Sequence, residues 1–482
     1  MRGRWGRHGL VAGLLTALAV IAGCTSPPPS APERADEWRQ GKVRTPATLD
    51  PYFPDLGNHG YQVEHYQLAV TYDPASKQLT GQVVAQVEAL TRLESVRFDL
   101  VGLTVTSATV DGMAAGVDRG DDKLIVTPAD PIAAGATFTV TVDYQGIPEP
   151  VSHPGLGDNG FQPTSEGAFA IGEPRSASTW FPVNEHPSDK ATYTIELTVP
   201  EGLAAISNGV PAGREPAAPG WTRWRWEERH PMASYLVTAV IGDYRVTTRE
   251  HADRPLVVAV HSDLPTRIDQ QLLRSGQIAD VLAEWFGPYP FDAYGGVVLA
   301  DPRVGFALET QSRPVYSPAF FIAGQDGTGV IVHELAHQWF GNCVSITSWR
   351  DIWLNEGFAT YAEWLFEEFD GGDTAQETFD LYWEGPGGAD RFWTTPPGDP
   401  GAGRLFHSAV YVRGAMTLHA LRVTVGDEAF LEILRSWVAR YAYRNATTDD
   451  FVALAEQVAG RPLRELFDAW LYADQRPTYP GR

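Results

Sequence analysis

The chain has 482 residues, 43% of them hydrophobic and 20% charged, and a formal net charge of -23. That length exceeds one ordinary core and predicts two or three domains of a globular protein. The acidic balance excludes the clustered basic face that nucleic-acid binding needs; the basic residues are nearly all Arg, with Lys only at Lys42, Lys77, Lys123 and Lys190.

At the N-terminus, Arg2, Arg4 and Arg7 precede an apolar stretch from Leu10 to Ala22. It is too short for a stable bilayer span and right for a signal peptide, residues 1–23. The stretch closes on Ile21-Ala22-Gly23-Cys24, the apolar, small, small, Cys order of a bacterial lipobox. The expectation is that Cys24 is lipidated and becomes the first mature residue. The alternative is a secreted protein whose cleavage site happens to include a Cys. Residues 24–50 begin rich in Ser, Pro and charge and read as a disordered tether. The expected location is therefore the outer face of the bacterial cell membrane, with membrane contact only through the anchor. Lipidation of Cys24 leaves Cys343 alone, so no disulfide is expected. Cys343 itself reads as a small buried apolar residue.

Residues 51–247 alternate in short runs broken by Gly, Pro, Asp and Asn. Gln67–Tyr72, Gln82–Val87, Thr137–Val142 and Thr192–Leu197 read as strands of an all-β saddle or sandwich domain. In residues 248–482 the texture changes. Strand-like Leu256–Val260 and Tyr294–Leu299 bracket a helical pattern from Ile268 to Trp285. Beyond Gly327 the pattern is mainly helical: Phe358–Phe369, Ala409–Val425, Asp427–Tyr441, Thr448–Val458 and Leu463–Tyr472, with a Gly/Pro-rich loop from Gly385 to Gly403. The fold class is α+β multidomain.

The chemistry concentrates in Val332-His-Glu-Leu-Ala-His-Gln-Trp-Phe340. His333 and His337, four apart on one helix face, can both reach one zinc ion. Glu334 can then serve as the general base toward the water. Glu356, nineteen residues beyond His337, opens a second helical pattern. It completes a His, His, Glu set with one position open, the arrangement of a catalytic rather than a structural site. Zinc follows from the ligand types. Asp351 and Glu363 lie near the metal in sequence, and either can orient a ligand His. The sequon at Asn445-Ala446-Thr447 and the fifteen Trp receive no functional weight.

The run His333–Asn342, followed by Trp349–Ala359, closely resembles the aminopeptidase N family of zinc metallopeptidases, which also contains a leukotriene hydrolase branch. Glu173–Pro182, with Pro187–Ala191, resembles that family's segment near the end of its N-terminal domain, and Tyr411-Val-Arg-Gly414 the stretch carrying its catalytic tyrosine. The resemblance implies a β saddle followed by a thermolysin-like, mainly helical catalytic domain. It implies metal ligation by His333, His337 and Glu356, a general base at Glu334, and an oxyanion donor at Tyr411. It further implies that Glu309 and Glu173 hold the free α-amine of a peptide substrate.

Two departures bear on this. The family's Gly-x-Met-Glu-Asn strand appears as Phe306-Ala-Leu-Glu-Thr310, and the Gln common two residues before Glu173 is Ile171. Both keep the charges and change their surroundings, so they bear on side-chain preference. Many family members also continue into a long helical domain, whereas this sequence runs about seventy residues past Tyr411; a comparatively open cleft that accepts longer peptides is the expectation. The implied activity is removal of N-terminal residues from peptides. Endopeptidase or epoxide hydrolase action on the same site, and a non-catalytic surface binding protein, are the alternatives. Nothing in the sequence indicates an oligomeric state.

Overall fold

The computed structural model describes residues 49–322, 324–385 and 390–481. The signal peptide, Cys24 and residues 24–48 of the expected tether lie outside them. Asp50, the last residue read as tether, is buried. Its carboxylate accepts from the amides of Tyr52 (2.8 Å) and Trp349 (2.8 Å), tying this end of the segment to the turn that leads into the second site helix.

An eight-stranded sheet forms the first layer. From one edge its strands are Val210–Ala218, Trp221–Met232, Ala191–Pro200, Tyr61–Asp73, Gln78–Ala89, Thr137–Gly146, Thr104–Val110 and Met113–Ala114. Only Tyr61–Asp73 and Ala191–Pro200 pair in parallel. Burial alternates along Gln78–Ala89, so Leu79, Val83, Ala85 and Val87 point inward while Gln78, Thr80, Gln82 and Gln86 face water, as a half-covered strand requires. A five-stranded antiparallel sheet, Ala204–Ser207, Ala239–Gly242, Ala168–Ile171, Gly157–Pro163 and Val151–His153, and a three-stranded one complete the β-rich part.

A second five-stranded sheet, Tyr244–His251, Arg254–His261, Tyr294–Val298, Val315–Tyr316 and Ala307–Leu308, opens the part of the chain that follows. Its inner strand Tyr294–Val298 is buried along its whole length, which is why it reads as continuous apolar sequence. Ala307–Leu308 forms the far edge and delivers Glu309. The helical pattern over Ile268–Trp285 is two helices, Arg267–Leu272 and Ser275–Phe286. Ser275 Oγ donates back to the Leu272 carbonyl at 2.6 Å, a local bond that competes with the helical ladder.

The first site helix is Thr328–Ala336 and the second is Trp353–Phe369. The pattern beginning at Ala409 starts with a π turn, Ala409–Arg413, before the helix Gly414–Val425. Leu463–Tyr472 likewise combines helix Arg464–Phe467 with a π turn. Asp390–Trp393 makes one helical turn inside the segment read as a loop. Among the described residues, no helix is long and apolar enough to cross a membrane.

Candidate metal centre and active site

The first site helix places His333 and the buried Glu334 on successive positions, and His337 caps its C-terminal end. The second site helix carries Glu356 in its first turn. Glu356 Oε2 lies 3.3 Å from His333 Nε2 and 3.5 Å from His337 Nε2. The ligand atoms of these three residues all fall within 4.8 Å of one another. The other ring nitrogens are engaged: His333 Nδ1 meets Glu363 Oε1 at 2.7 Å, and His337 Nδ1 meets the Phe340 carbonyl at 3.1 Å. Both contacts leave Nε2 with a lone pair toward the centre, the usual outer support of metal-binding imidazoles.

The structure chooses between the two acids weighed as orienters. Glu363 holds His333. Asp351 instead accepts from Thr448, at 2.6 Å from its Oγ1 and 3.3 Å from its amide.

The donor set fits a divalent cation. Burial alone would lower the pKa of both imidazoles, yet neighbouring carboxylates hold His333 well above its usual range and His337 up at about 9. Burial likewise opposes charge on Glu356, but His337 and His333 hold its carboxyl well below the usual range. The site thus demands positive charge between these donors. A metal ion on the same lone pairs supplies it.

Glu334 lies beside the centre. Burial pushes its carboxyl up to about 8, with His333 and His337 opposing and Glu309 and Glu356 adding. Tyr411 also lines the cavity, its ring stacked on His333 at 6.1 Å and 21°. What seats it there is a contact between two glycines. A Cβ on Gly357 would lie 2.9 Å from Gly414 Cα, so only glycine lets the two backbones approach this closely. That contact fixes the chain three residues beyond Tyr411 against the residue after Glu356.

Glu173 and Glu309 are carried by strands of different sheets. Glu173 follows strand Ala168–Ile171 through Gly172, at φ +141°. A Cβ on Gly172 would sit 2.4 Å from Asn159 Cβ, and Asn159 Nδ2 donates to the Glu173 carbonyl at 2.7 Å. The Glu309 carbonyl accepts from Asn342 Nδ2 (2.7 Å) and Gln338 Nε2 (3.2 Å). Both carboxylates are almost wholly buried, and each leaves Oε1 without a hydrogen-bond partner. Burial, then mutual repulsion with Glu309, Glu356 and Glu334, raises the Glu173 carboxyl well above its usual range. These residues, with His333, His337, Glu356, Glu363 and Tyr411, line one cavity of about 450 Å³ whose remaining wall is largely apolar, including Leu156, Phe306, Phe320 and Phe406.

The family model described as the Peptidase M1 N-terminal domain matches residues 62–236, and that described as the Peptidase family M1 domain matches residues 276–470. The chain belongs to peptidase family M1. Human glutamyl aminopeptidase is 28% identical to this M1 peptidase over 322 residues, 62% of this chain and 33% of that protein. Aminopeptidase N of Lactobacillus delbrueckii subsp. lactis is 26% identical over 453 residues, 87% of this chain and 51% of that one. The chain therefore spans from a third to about half of these relatives. A crystal structure of a mutant M1 zinc metallopeptidase from Deinococcus radiodurans, bound to a Tyr-Ser-Ala substrate, superposes with a TM-score of 0.81 at 30% identity, covering 89% of this chain and 98% of that one. Fold and ligand set are those of a zinc metallopeptidase with one zinc ion.

Three further residues support the site; Lys190 and Arg413 lie inside segments that resemble the family, Pro187–Ala191 and Tyr411–Gly414, but their residue types give no sign of their contacts. Lys190, buried, donates from Nζ to the carbonyls of Asn342 (2.7 Å) and Cys343 (3.0 Å), at the turn that also holds Glu309. Tyr235, buried, has its hydroxyl's pKa raised by burial and by the nearby Glu309 carboxylate, and that hydroxyl receives Asn355 Nδ2 at 3.5 Å. Arg413, fully buried, donates to the carbonyls of Trp470 (2.7 Å), Ala473 (2.7 Å) and Trp393 (2.6 Å), fixing the turn that carries Tyr411. The sequence's one hint for Arg413 is its place in the Tyr411–Gly414 motif. Cys343 is buried, and burial pushes its thiol up to about 11, which leaves it inert.

Proposed function

We propose that this chain is a zinc metalloaminopeptidase that removes N-terminal residues from peptides. The observation that carries this reading is the pair of buried carboxylates, Glu173 and Glu309, each with an unpartnered oxygen beside the His333–His337–Glu356 centre. A buried unpaired carboxylate oxygen is costly. A substrate ammonium satisfies both at once and thereby fixes the register of the chain.

His333, His337 and Glu356 would hold the zinc ion, which when bound would supply Lewis acidity for amide hydrolysis. Glu173 and Glu309 bind the α-ammonium and set the first peptide bond over the centre. Glu334 takes a proton from the attacking water and passes it to the departing amide nitrogen. The Tyr411 hydroxyl donates to the oxyanion that develops on the carbonyl. Substrate capture by the Deinococcus relative is consistent with a peptide in this cleft.

Aminoacyl-anilides and their N-acetylated counterparts separate the readings, with Glu334→Gln as control. Cleavage of free-amine substrates only, lost on chelation and in the variant, supports an aminopeptidase. Cleavage of blocked substrates at comparable rate moves the reading to an endopeptidase.

The same reading extends to location. Export by residues 1–23 and lipidation at Cys24 would hold the enzyme on the outer face of the cell membrane, or release it where Cys24 is not modified. Membrane fractionation of wild type and Cys24→Ala checks this; equal partitioning of the two would discard the anchor.

A further inference from the structure

The carboxylates that meet the substrate amine also make a second donor set. One oxygen each of Glu173, Glu309 and Glu356 lies within 4.8 Å of the other two, and all three residues are buried. The unpartnered Oε1 atoms of Glu173 and Glu309 belong to side chains only 1% and 2% exposed that line the cavity. Glu356 is common to this set and to the His333–His337 set, as a carboxylate shared between two cations is in two-metal sites, where the ions sit about 3.5–4 Å apart. Five carboxylates, Glu173, Glu309, Glu334, Glu356 and Glu363, line this one cavity, and one divalent ion offsets the charge of only two.

We propose that Glu173, Glu309 and Glu356 form a second, oxygen-only cation site that takes a divalent ion whenever no substrate amine is bound. An all-carboxylate donor set selects hard cations of the manganese, magnesium and calcium class rather than a soft one. Occupancy of this site and of the amine position is mutually exclusive, because both use the same two oxygens. A free divalent cation then acts as a competitive inhibitor that the substrate displaces. The competition rests on the amine-anchoring reading above; the cation site itself does not.

The test uses the zinc holoenzyme, with zinc counted by elemental analysis before and after. Manganese(II) is added and the free ion followed by electron paramagnetic resonance. The expected result is one saturable equivalent of manganese with zinc retained, weakened at least tenfold in Glu173→Gln and displaced by an amino-acid amide but not by its N-acetyl form. Absence of a saturable equivalent overturns the proposal. So does binding that is unchanged in Glu173→Gln, which would assign the ion to the acidic surface, and so does loss of zinc in step with manganese uptake, which would mean exchange at the first centre. The two readings separate cleanly. Manganese binding lost in Glu173→Gln but indifferent to amino-acid amide keeps the cation site and removes amine anchoring. Amine-dependent cleavage without manganese binding does the reverse. Under turnover, manganese should raise KM for aminoacyl-anilides and leave kcat unchanged; a fall in kcat at constant KM contradicts the shared site.

Discussion

Glu363 offers a measurable test of how the metal centre is held. Its Oε1 lies 2.7 Å from His333 Nδ1, a charge-assisted contact whose removal is worth about 1.5–3 kcal/mol when desolvated. The Glu363 side chain is 37% exposed, so solvent screening brings the figure toward the lower end, about 1.5 kcal/mol. That corresponds to roughly a tenfold loss of zinc affinity in Glu363→Ala. Glu363→Gln should lose less, because its amide oxygen still accepts from Nδ1. Asp351→Asn is the matched control, since its carboxylate serves Thr448 and not a ligand. Zinc dissociation constants from competition with a chromophoric chelator give the answer. Unchanged affinity in Glu363→Ala, or an equal loss in Asp351→Asn, would refute the assignment.

Tyr411→Phe removes only the oxyanion donor, so kcat should fall about 10²–10³-fold with KM nearly constant; steady-state kinetics on an aminoacyl-anilide check it, and a change confined to KM would point to a binding role. Gly172→Ala puts a Cβ at φ +141° and 2.4 Å from Asn159 Cβ; the strain should cost about 1–3 kcal/mol, lower Tm, and raise KM for free-amine substrates through displacement of Glu173. His419 is buried between Tyr361 (3.2 Å) and Gln376 (3.1 Å), and burial, with Arg422 adding, lowers its pKa to about 4. Because the folded value lies below the unfolded value, stability is whole above about pH 6.5 and drains away between about pH 6.5 and 4 as the unfolded chain alone takes up the proton, on the order of 3 kcal/mol in all. Denaturant melts across that range should show this acid limb flattened in His419→Gln, and an unaltered limb would remove His419 as its cause.

The metal half of the site was open to reading because its constraints are local. A four-residue spacing puts two imidazoles on one helix face whatever surrounds them. The strands, too, announced themselves by alternation, as in Gln78–Ala89. What stayed hidden depends on contacts far apart in sequence. Asp351 and Glu363 stood as equal candidates until Thr448, ninety-seven positions beyond Asp351, claimed one of them. Lys190 and Arg413 look like surface charges by residue type, yet both are buried on backbone carbonyls. Carbonyls belong to every residue, so an acceptor of this kind leaves no mark in the sequence. The π turn at Ala409–Arg413 was hidden for the same reason, since its periodicity over five residues does not differ visibly from that of a helix.

These hidden contacts divide the labour between the two parts of the chain. The metal ligands, Glu334 and Tyr411 all come from residues after 327. On the proposed aminopeptidase reading, the machinery that decides which end of a peptide is read draws on residues before 247 as well. Glu173 supplies one carboxylate. Tyr235 accepts from Asn355, and Lys190 holds the carbonyls of Cys343 and of Asn342, whose side chain donates to the Glu309 carbonyl. All three sit next to strands of the β-rich part or in the turn just before its strand Ala239–Gly242. Hydrolytic chemistry could in principle be assembled on the helical part alone. On that reading recognition of a chain terminus could not, because Glu173, one of the two proposed amine-binding carboxylates, and groups that position the other come from the β-rich part. On the aminopeptidase reading proposed above, that dependence gives a physical reason for a β-rich part to accompany the metal-binding helices: it would convert a centre able to cleave a peptide bond into one that selects the first bond in a chain.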